Sequence, residues 1–437
     1  MAMAIKSLKV FFLGTLLRKN VLANYIGLIS SIIGSLISLP FYLSILGLSQ
    51  YGLIAVILLI QILLNSLDFG LWQSMIREIS ITLKLPNGRS KSSSLVFNIE
   101  KLYWGLALII TFIVVVISTY ISTHWFNLLN TPIEIAKFSV CGAALIFLFQ
   151  FPGIFYRSVL IAAEEQIYLN KILTVTNIFR HIGGVILVFL YPSIITYVIW
   201  QILVVLCETF MRRAKVYSIF GNIDYVSYWD FNKIINFFRL TSGLSFALWA
   251  GTFFTQIDKI IVSKMVSIDE FAYYSIATTI SLGVLQLIQP IIISAQPMAF
   301  ALKDDPFLLH QLYKKLFLYI TLIFSLIILG FFLLGRTFLE LWLSNTNLTN
   351  HVFDYCSLLL IGSAFNALYS IGYMNWVVSK KTKNLLTLNL ASLIIVIICL
   401  PIVINTFSSK NAPLVWIIIN LLCFFCTLGW LKKVPRS

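Results

Sequence analysis

The chain has 437 residues, of which 59% are apolar and only 11% are charged. Soluble domains carry about 45–50% apolar and about 25% charged residues, so this composition excludes a cytosolic enzyme, a disordered chain and a disulfide scaffold. Twelve membrane-spanning helices of about 20 residues would use about 240 residues and leave only short loops. The composition predicts an all-α polytopic membrane protein.

Apolar runs predict about twelve transmembrane helices. The fifth and sixth are separated only by Tyr191-Pro192-Ser193, and the basic and apolar residues before the first span are typical of an interfacial helix. The predicted spans in chain order are 21–45, 52–76, 98–120, 138–160, 172–191, 194–211, 240–264, 270–295, 316–335, 353–377, 385–405 and 412–431.

The net charge of +15 is explained by membrane topology. If successive spans cross the membrane in alternating directions, 26 of the 31 Lys and Arg residues fall on one side of the membrane and 5 on the other. Because Lys and Arg are enriched on the cytoplasmic side, both termini are predicted to be cytoplasmic. No nucleic-acid partner is expected, and anionic membrane lipids are the natural partners of this basic surface.

The longest loop divides the predicted spans into two sets of six. We expect an N-terminal six-helix lobe at 1–211, a cytoplasmic linker at 212–239 and a C-terminal six-helix lobe at 240–437, arranged around a central cavity. Short turns at 48–52 and 268–272 occupy corresponding positions in the two halves. Transporters are often built from such repeats, with the binding site between them, although one shared turn is weak support.

Polar side chains recur at helical spacing in spans one, two, seven and eight. Steps of three and four residues place each set on one helix face. Helix packing in lipid explains the Ser and Thr residues, whereas the amides and charges favour a shared polar cavity. The candidate substrate or cavity residues are Asn24, Ser31, Gln61, Asn65, Asp68, Gln256, Asp258, Lys259 and Gln286.

Two adjacent ionisable residues, Asp258 and Lys259, lie in predicted span seven. Neighbours on a helix point about 100° apart, so each needs its own environment. In one interpretation both are cavity charges, with Lys259 for an anionic substrate and Asp258 for a coupling cation or proton. In the other, Lys259 reaches the outer headgroups while Asp258 caps or pairs. The sequence leaves both interpretations open.

Further charged residues lie in or beside the spans. Asp68 is expected to pair with an inward-facing base such as Arg157 or Arg180. These two arginines and Arg77 are the candidate cytoplasmic-entrance residues, although an ordinary cytoplasmic anchor is the favoured explanation of Arg77. The candidate coupling-ion residues are Asp68, Glu78 and Asp258.

Several catalytic signatures are missing from the sequence. It contains no P-loop, no nucleophile elbow and no zinc motif, and its four histidines and six cysteines show no metal-binding arrangement. We therefore expect a protein that is not an enzyme and that needs no cofactor and no metal.

Two stretches resemble bacterial polysaccharide exporters, one in each half of the chain. They are similar to the O-antigen flippases (Wzx type) of the multidrug/oligosaccharidyl-lipid/polysaccharide exporter superfamily. The first comprises Pro40-Phe41-Tyr42-Leu43, 47–53, Leu67-Asp68-Phe69-Gly70-Leu71 and Arg77-Glu78, and the second comprises 256–263 and Tyr273-Tyr274-Ser275.

The resemblance implies a flippase of the bacterial inner membrane. Such a protein turns an undecaprenyl-diphosphate-linked oligosaccharide, an O-antigen or similar polysaccharide repeat unit, from the cytoplasmic to the periplasmic leaflet. It would do so by ion-coupled alternating access, with the polyprenyl tail trailing through a gap between the lobes. A polysaccharide polymerase and a chain-length regulator are the further partners that the resemblance implies.

Three alternatives compete with this interpretation. The scarcity of deep acids argues against a cation-coupled multidrug exporter of the same superfamily. The longest loop is on the predicted cytoplasmic side, which argues against an O-antigen polymerase, a membrane glycosyltransferase expected to carry a large periplasmic loop. Paired polar stripes argue against an assembly or receptor protein that transports nothing.

Overall fold

The computed structural model describes residues 15–86, 88–129, 131–221, 253 and 255–431, with side chains from Ser30 onward except that of Thr382. Across these ranges the chain is helical apart from turns and one isolated parallel bridge between Asn127 and Ser267. The predicted all-α fold class is therefore confirmed.

The helices are numbered here in chain order. They are α1 (Thr15–Leu46), α2 (Leu48–Ser66), α3 (Leu71–Thr82), α4 (Gly88–His124), α5 (Ile133–Ala162), α6 (Gln166–Ile178), α7 (Gly184–Leu190), α8 (Ile194–Phe220), α9 (Ile257–Met265), α10 (Ile268–Ala301), α11 (Pro306–Leu343), α12 (Thr346–Val378), α13 (Thr382–Thr406) and α14 (Ala412–Cys426). A π-helical turn, Phe179–Gly183, joins α6 to α7.

The described part of the chain contains ten helical segments that are long and apolar enough to cross a membrane. Ser30–Leu46, the part of α1 whose side chains are described, is apolar as well. Most of predicted span seven, 240–264, lies outside the described residues. The protein is a multi-pass membrane protein, and about twelve spans remain consistent with its helices.

Predicted span two, 52–76, is wrong in its continuity. Helix α2 ends at Ser66, the chain turns through Leu67 to Gly70, and α3 begins at Leu71. Phe69 and Gly70 have positive φ angles of 49° and 71°. A left-handed backbone is strained for a bulky residue such as Phe69 and easy for glycine, so two successive residues with positive φ end the helix here.

The fold divides into two compact units. Unit 1 comprises Met1–Gln50, Val56–Thr123 and Thr131–Trp249, and unit 2 comprises Tyr51–Ala55, His124–Asn130 and Ala250–Ser437. The predicted linker at 212–239 begins inside α8, which continues to Phe220, and its remainder from residue 222 lies outside the described residues.

In unit 1, α5 is the central helix of an aromatic core. It packs against α3 and α8, while α1 packs against α6. Met75, Tyr103, Phe151 and Phe155 are almost fully buried in this core. Dispersion contacts among such large side chains hold helices together where lipid offers no hydrophobic driving force.

In unit 2, α12 is the central helix. It packs against α10, α11 and α14. The buried core between these helices and the 3-10 turn Leu428–Leu431 includes Ile288, Tyr313, Ile320, Ala367 and Trp430. The two units therefore each have a core of their own.

Candidate functional site

Unit 1 contains three arginines around one buried glutamate. Glu208 of α8 is 6% exposed. Arg180 donates from Nη2 to its Oε2 over 2.7 Å, and Arg212, one turn further along α8, donates to Oε1. Arg157 of α5 interacts electrostatically with Glu208 and Arg212. We call these four residues the Glu208 cluster; three guanidinium groups and one carboxylate leave it a formal excess of two positive charges.

Arg180 lies in the π-helical turn, a feature that often marks functional sites. Two glycines allow this turn to pack closely. A Cβ on Gly183 would lie 2.5 Å from the ring of Trp200, and one on Gly184 would lie 2.3 Å from the hydroxyl of Tyr42. Trp200 Nε1 also donates to the carbonyl of Phe179 over 2.9 Å.

A second buried acid, Glu100 of α4, ties three helices of unit 1 together. It accepts hydrogen bonds from Tyr156 of α5 over 2.5 Å and from Tyr217 of α8 over 2.8 Å. Arg213 Nε donates to it over 2.8 Å, and Trp104 donates to the Tyr156 hydroxyl over 3.0 Å. Because the charge and its hydrogen bonds are matched, this network is a structural anchor.

The prediction that Asp68 pairs with Arg157 or Arg180 is wrong. Asp68 is buried, and its carboxylate accepts from the Tyr103 hydroxyl and, over 3.1 Å, from the backbone N–H of Trp72. The turn after α2 places Asp68 against α4, where these donors satisfy it. Both arginines belong to the Glu208 cluster instead.

In unit 2, Asp258 and Lys259 line one small pocket. Its volume of about 10 Å³ gives room for about one water molecule. Hydroxyl side chains dominate the rest of its polar wall, and two of them, Ser281 and Ser363, lie 2.7 Å apart. Although they are sequence neighbours, both ionisable residues therefore face the same space.

The Asp258 carboxylate has one side-chain hydrogen bond among the described residues. Its Oδ2 accepts from the Tyr274 hydroxyl over 2.6 Å. Its Oδ1 is buried and has no hydrogen-bond partner among the described residues. Lys259 interacts with it electrostatically. Because Asp258 lines the pocket, a water molecule, a proton or a small cation there would lie beside this residue.

Tyr274 connects this pocket to a second acid of unit 2. Its ring meets the ring of Tyr355 edge to face, at 5.6 Å between centroids. The Tyr355 hydroxyl donates to Glu270, which also accepts from Ser409 over 3.1 Å. Glu270 lies in the first turn of α10, where a negative charge is favourable.

The other predicted site residues do not join these clusters. Asn65 Oδ1 and Gln256 Oε1 are buried without a hydrogen-bond partner among the described residues. Three of the remaining candidates are half-buried, namely Ser31, Gln61 and Glu78, and two are exposed, namely Arg77 and Gln286. The side chain of Asn24 lies outside the described residues.

Sequence reasoning missed Glu208 and Arg212 because it placed Arg212 in the cytoplasmic linker at 212–239. A signal was available, since Glu208 is an acid inside predicted span six. Arg212 follows it by four residues, the spacing of a helical ion pair. Glu100, which lies inside predicted span three, was missed in the same way.

Buried, paired charges within apolar helices define a polytopic membrane protein with a polar interior, the class to which transporters belong.

Solved transporters share this fold. An inward-facing multidrug resistance MATE family transporter of the MOP superfamily has a TM-score of 0.73 at 12% identity, covering 91% of this chain and 93% of that one. The lipid II flippase MurJ, in an inward closed conformation, has a TM-score of 0.70 at 16% identity, covering 95% and 88%.

A MOP superfamily transporter from Pyrococcus furiosus also matches, with a TM-score of 0.60 at 13% identity and 96% of each chain covered. No curated protein is significantly similar to the chain in sequence. The sequence profile of the polysaccharide biosynthesis protein family matches residues 44–348. The chain belongs to this family, which confirms the resemblance to polysaccharide exporters at the level of family and fold.

Proposed function

We propose that the protein flips an undecaprenyl-diphosphate-linked oligosaccharide, an O-antigen or similar repeat unit, from the cytoplasmic to the periplasmic leaflet of the bacterial inner membrane. The observation that carries this proposal is the Glu208 cluster, in a chain of the polysaccharide biosynthesis protein family. The shared fold of the lipid II flippase MurJ supports a lipid-linked substrate.

The Glu208 cluster suits a diphosphate. A diphosphate diester carries about two negative charges at neutral pH, which equals the formal excess of the cluster. Guanidinium groups bind phosphate oxygens through paired, charge-assisted hydrogen bonds. Arg180 and Arg212 are held in place by Glu208, while Arg157 is exposed and makes no ion pair among the described residues. The diphosphate would therefore bind first at Arg157.

The Asp258 pocket is suited to ion coupling. A carboxylate held by the neutral Tyr274 hydroxyl can gain a proton or a cation without leaving an arginine unpaired. Lys259 beside it would respond to the same change of charge. We propose that Asp258 carries the coupling ion, with alternating access as the transport mode.

The remaining assignments follow from this function. We also propose that both termini are cytoplasmic, because Lys and Arg are concentrated on that side of the predicted topology. The protein is a transporter and not an enzyme, and a polysaccharide polymerase and a chain-length regulator would act on what it delivers.

The decisive experiment deletes this gene from a strain whose other glycan genes are intact. We expect single-repeat, undecaprenyl-diphosphate-linked oligosaccharide to accumulate on the cytoplasmic face, accessible in inverted but not right-side-out vesicles. Repeat units that reach the periplasmic face but are never lengthened would instead identify a polymerase. An unchanged glycan would overturn the proposal and point to drug efflux.

A further inference from the structure

Unit 1 contains an apolar groove between α1 and the segment formed by α6, the π-helical turn and α7. Its volume is about 350 Å³. Large apolar side chains form both walls, and each is between 49% and 57% exposed. They are Ile33, Ile37 and Phe41 on α1 and Ile178, Ile182 and Ile186 on the other wall.

The few polar side chains in the groove are bonded to each other. Ser38 and His181 share a hydrogen bond of 3.2 Å between Oγ and Nδ1. Asn177 donates to Ser30 over 3.4 Å. These bonds link the two walls and leave a ligand little but hydrocarbon to contact, so the chemistry of the groove fits an apolar chain.

The length of the groove matches one leaflet. On α1 it runs from Ser30 to Phe41, about 16 Å at the rise of an α-helix. The hydrocarbon core of a bilayer is about 30 Å thick, so the groove has about the depth of a single leaflet. An extended chain could enter it without leaving the leaflet in which the chain began.

One residue of the Glu208 cluster, Arg180, lies next to the wall of the groove. Arg180 lies directly before His181 in the π-helical turn and is close enough to interact with it electrostatically. Because neighbours on a helix point in different directions, His181 faces the groove while Arg180 reaches Glu208. A charged head group on the Glu208 cluster and an apolar tail in the groove would therefore both contact the π-helical turn.

We propose that this groove holds the first part of the polyprenyl chain of the diphosphate-linked substrate while the diphosphate rests on the Glu208 cluster. This inference depends on the proposed function. The charge of the cluster favours a diphosphate, with about two negative charges, over the phosphodiester of a membrane phospholipid, with about one. The exposed isoleucines are thus one part of a site that binds both the diphosphate and the first part of the polyprenyl chain.

The test uses the full chain reconstituted in phospholipid vesicles with radiolabelled undecaprenyl-diphosphate oligosaccharide. A benzophenone amino acid replaces Ile182 in the groove or, as the control, Phe112, an exposed residue of α4 outside it. After irradiation we expect labelled polyprenyl adducts at position 182 and only phospholipid adducts at 112. Phospholipid adducts alone at both positions, in protein that still flips substrate, would overturn the groove and leave the proposed function standing.

A substitution series provides a functional readout. Ile182→Trp and, from the opposite wall, Ile37→Trp should each slow flipping about tenfold by filling the groove, whereas Phe112→Trp should not. Thermal unfolding identifies any variant that has lost its fold. Normal flipping by both folded groove variants would overturn the inference. Absence of flipping by the wild-type protein would instead be a failure of the proposed function.

Discussion

Glu100 and Glu208 in unit 1 each accept a hydrogen bond from an arginine, whereas Asp258 and Glu270 in unit 2 each accept one from a tyrosine. An ion pair buried in low dielectric is stable only while both partners keep their charge. A carboxylate held by a hydroxyl can change its charge with less disturbance. We infer that unit 1 provides a fixed positive surface and unit 2 a site whose charge can change.

Asp68 is the informative exception to this division. It belongs to unit 1, yet its donors are the Tyr103 hydroxyl and a backbone N–H. If a hydroxyl partner alone were enough for ion coupling, Asp68 would be as good a candidate as Asp258. What distinguishes Asp258 is that it borders a pocket and that its Oδ1 has no hydrogen-bond partner among the described residues.

The largest effect is expected from Glu208→Ala. Removing this carboxylate leaves Arg180 and Arg212 without their ion-pair partner and Arg157 without the nearby negative charge. The free energy of unfolding should therefore fall by about 3–5 kcal/mol. Denaturant unfolding of the purified protein in detergent measures the loss. Glu165→Ala is the matched control, since it breaks a more exposed pair with Lys215 and should cost at most about 1 kcal/mol. Equal losses in the two variants would contradict the central role of Glu208.

Asp258→Asn tests whether unit 2 contains the site whose charge can change. The amide keeps the shape of the carboxyl but cannot exchange charge, so flipping should slow at least about tenfold and lose its response to an imposed ion gradient. Flipping by vesicles with and without the gradient measures this. Asp354→Asn, at an exposed pair with Lys410, should leave the response intact. A gradient response that survives Asp258→Asn would remove Asp258 from the coupling mechanism.

Arg157→Gln separates binding from folding in the Glu208 cluster. Arg157 makes no direct bond to Glu208, so the unfolding temperature should hardly change. Loss of one charge-assisted contact should raise the substrate concentration for half-maximal flipping about fivefold. Lys410→Gln, in unit 2, serves as the control. An unchanged half-maximal concentration would place the diphosphate elsewhere.

The smallest effects are expected from Tyr103→Phe and Tyr274→Phe. Each removes one hydroxyl donor from a buried carboxylate and should lower the free energy of unfolding by about 1 kcal/mol. Only Tyr274→Phe should also alter the response of flipping to the ion gradient. If Tyr103→Phe alters that response equally, Asp68 must share the coupling role, and the division between the two units fails.

The sequence by itself determined the architecture of this protein. Backbone polar groups cannot remain unpaired in lipid, so long apolar runs must become helices wherever they cross it. The break predicted at Tyr191-Pro192-Ser193 agrees with the structure, which ends one helix at Leu190 and starts the next at Ile194. Hydropathy could not reveal the turn at Phe69 and Gly70, because a change of φ leaves no trace in the apolar pattern.

Only the tertiary structure decided which charges meet. The sequence analysis singled out Asp68, Arg157 and Arg180, but it paired them wrongly and passed over Glu208. Arg180 and Glu208 lie on different helices, and so do Asp68 and Tyr103. Whether two such side chains touch depends on how each helix is rotated about its axis and packed, and that rotation is set by the buried aromatic and apolar contacts between helices, not by the spacing of residues along one of them.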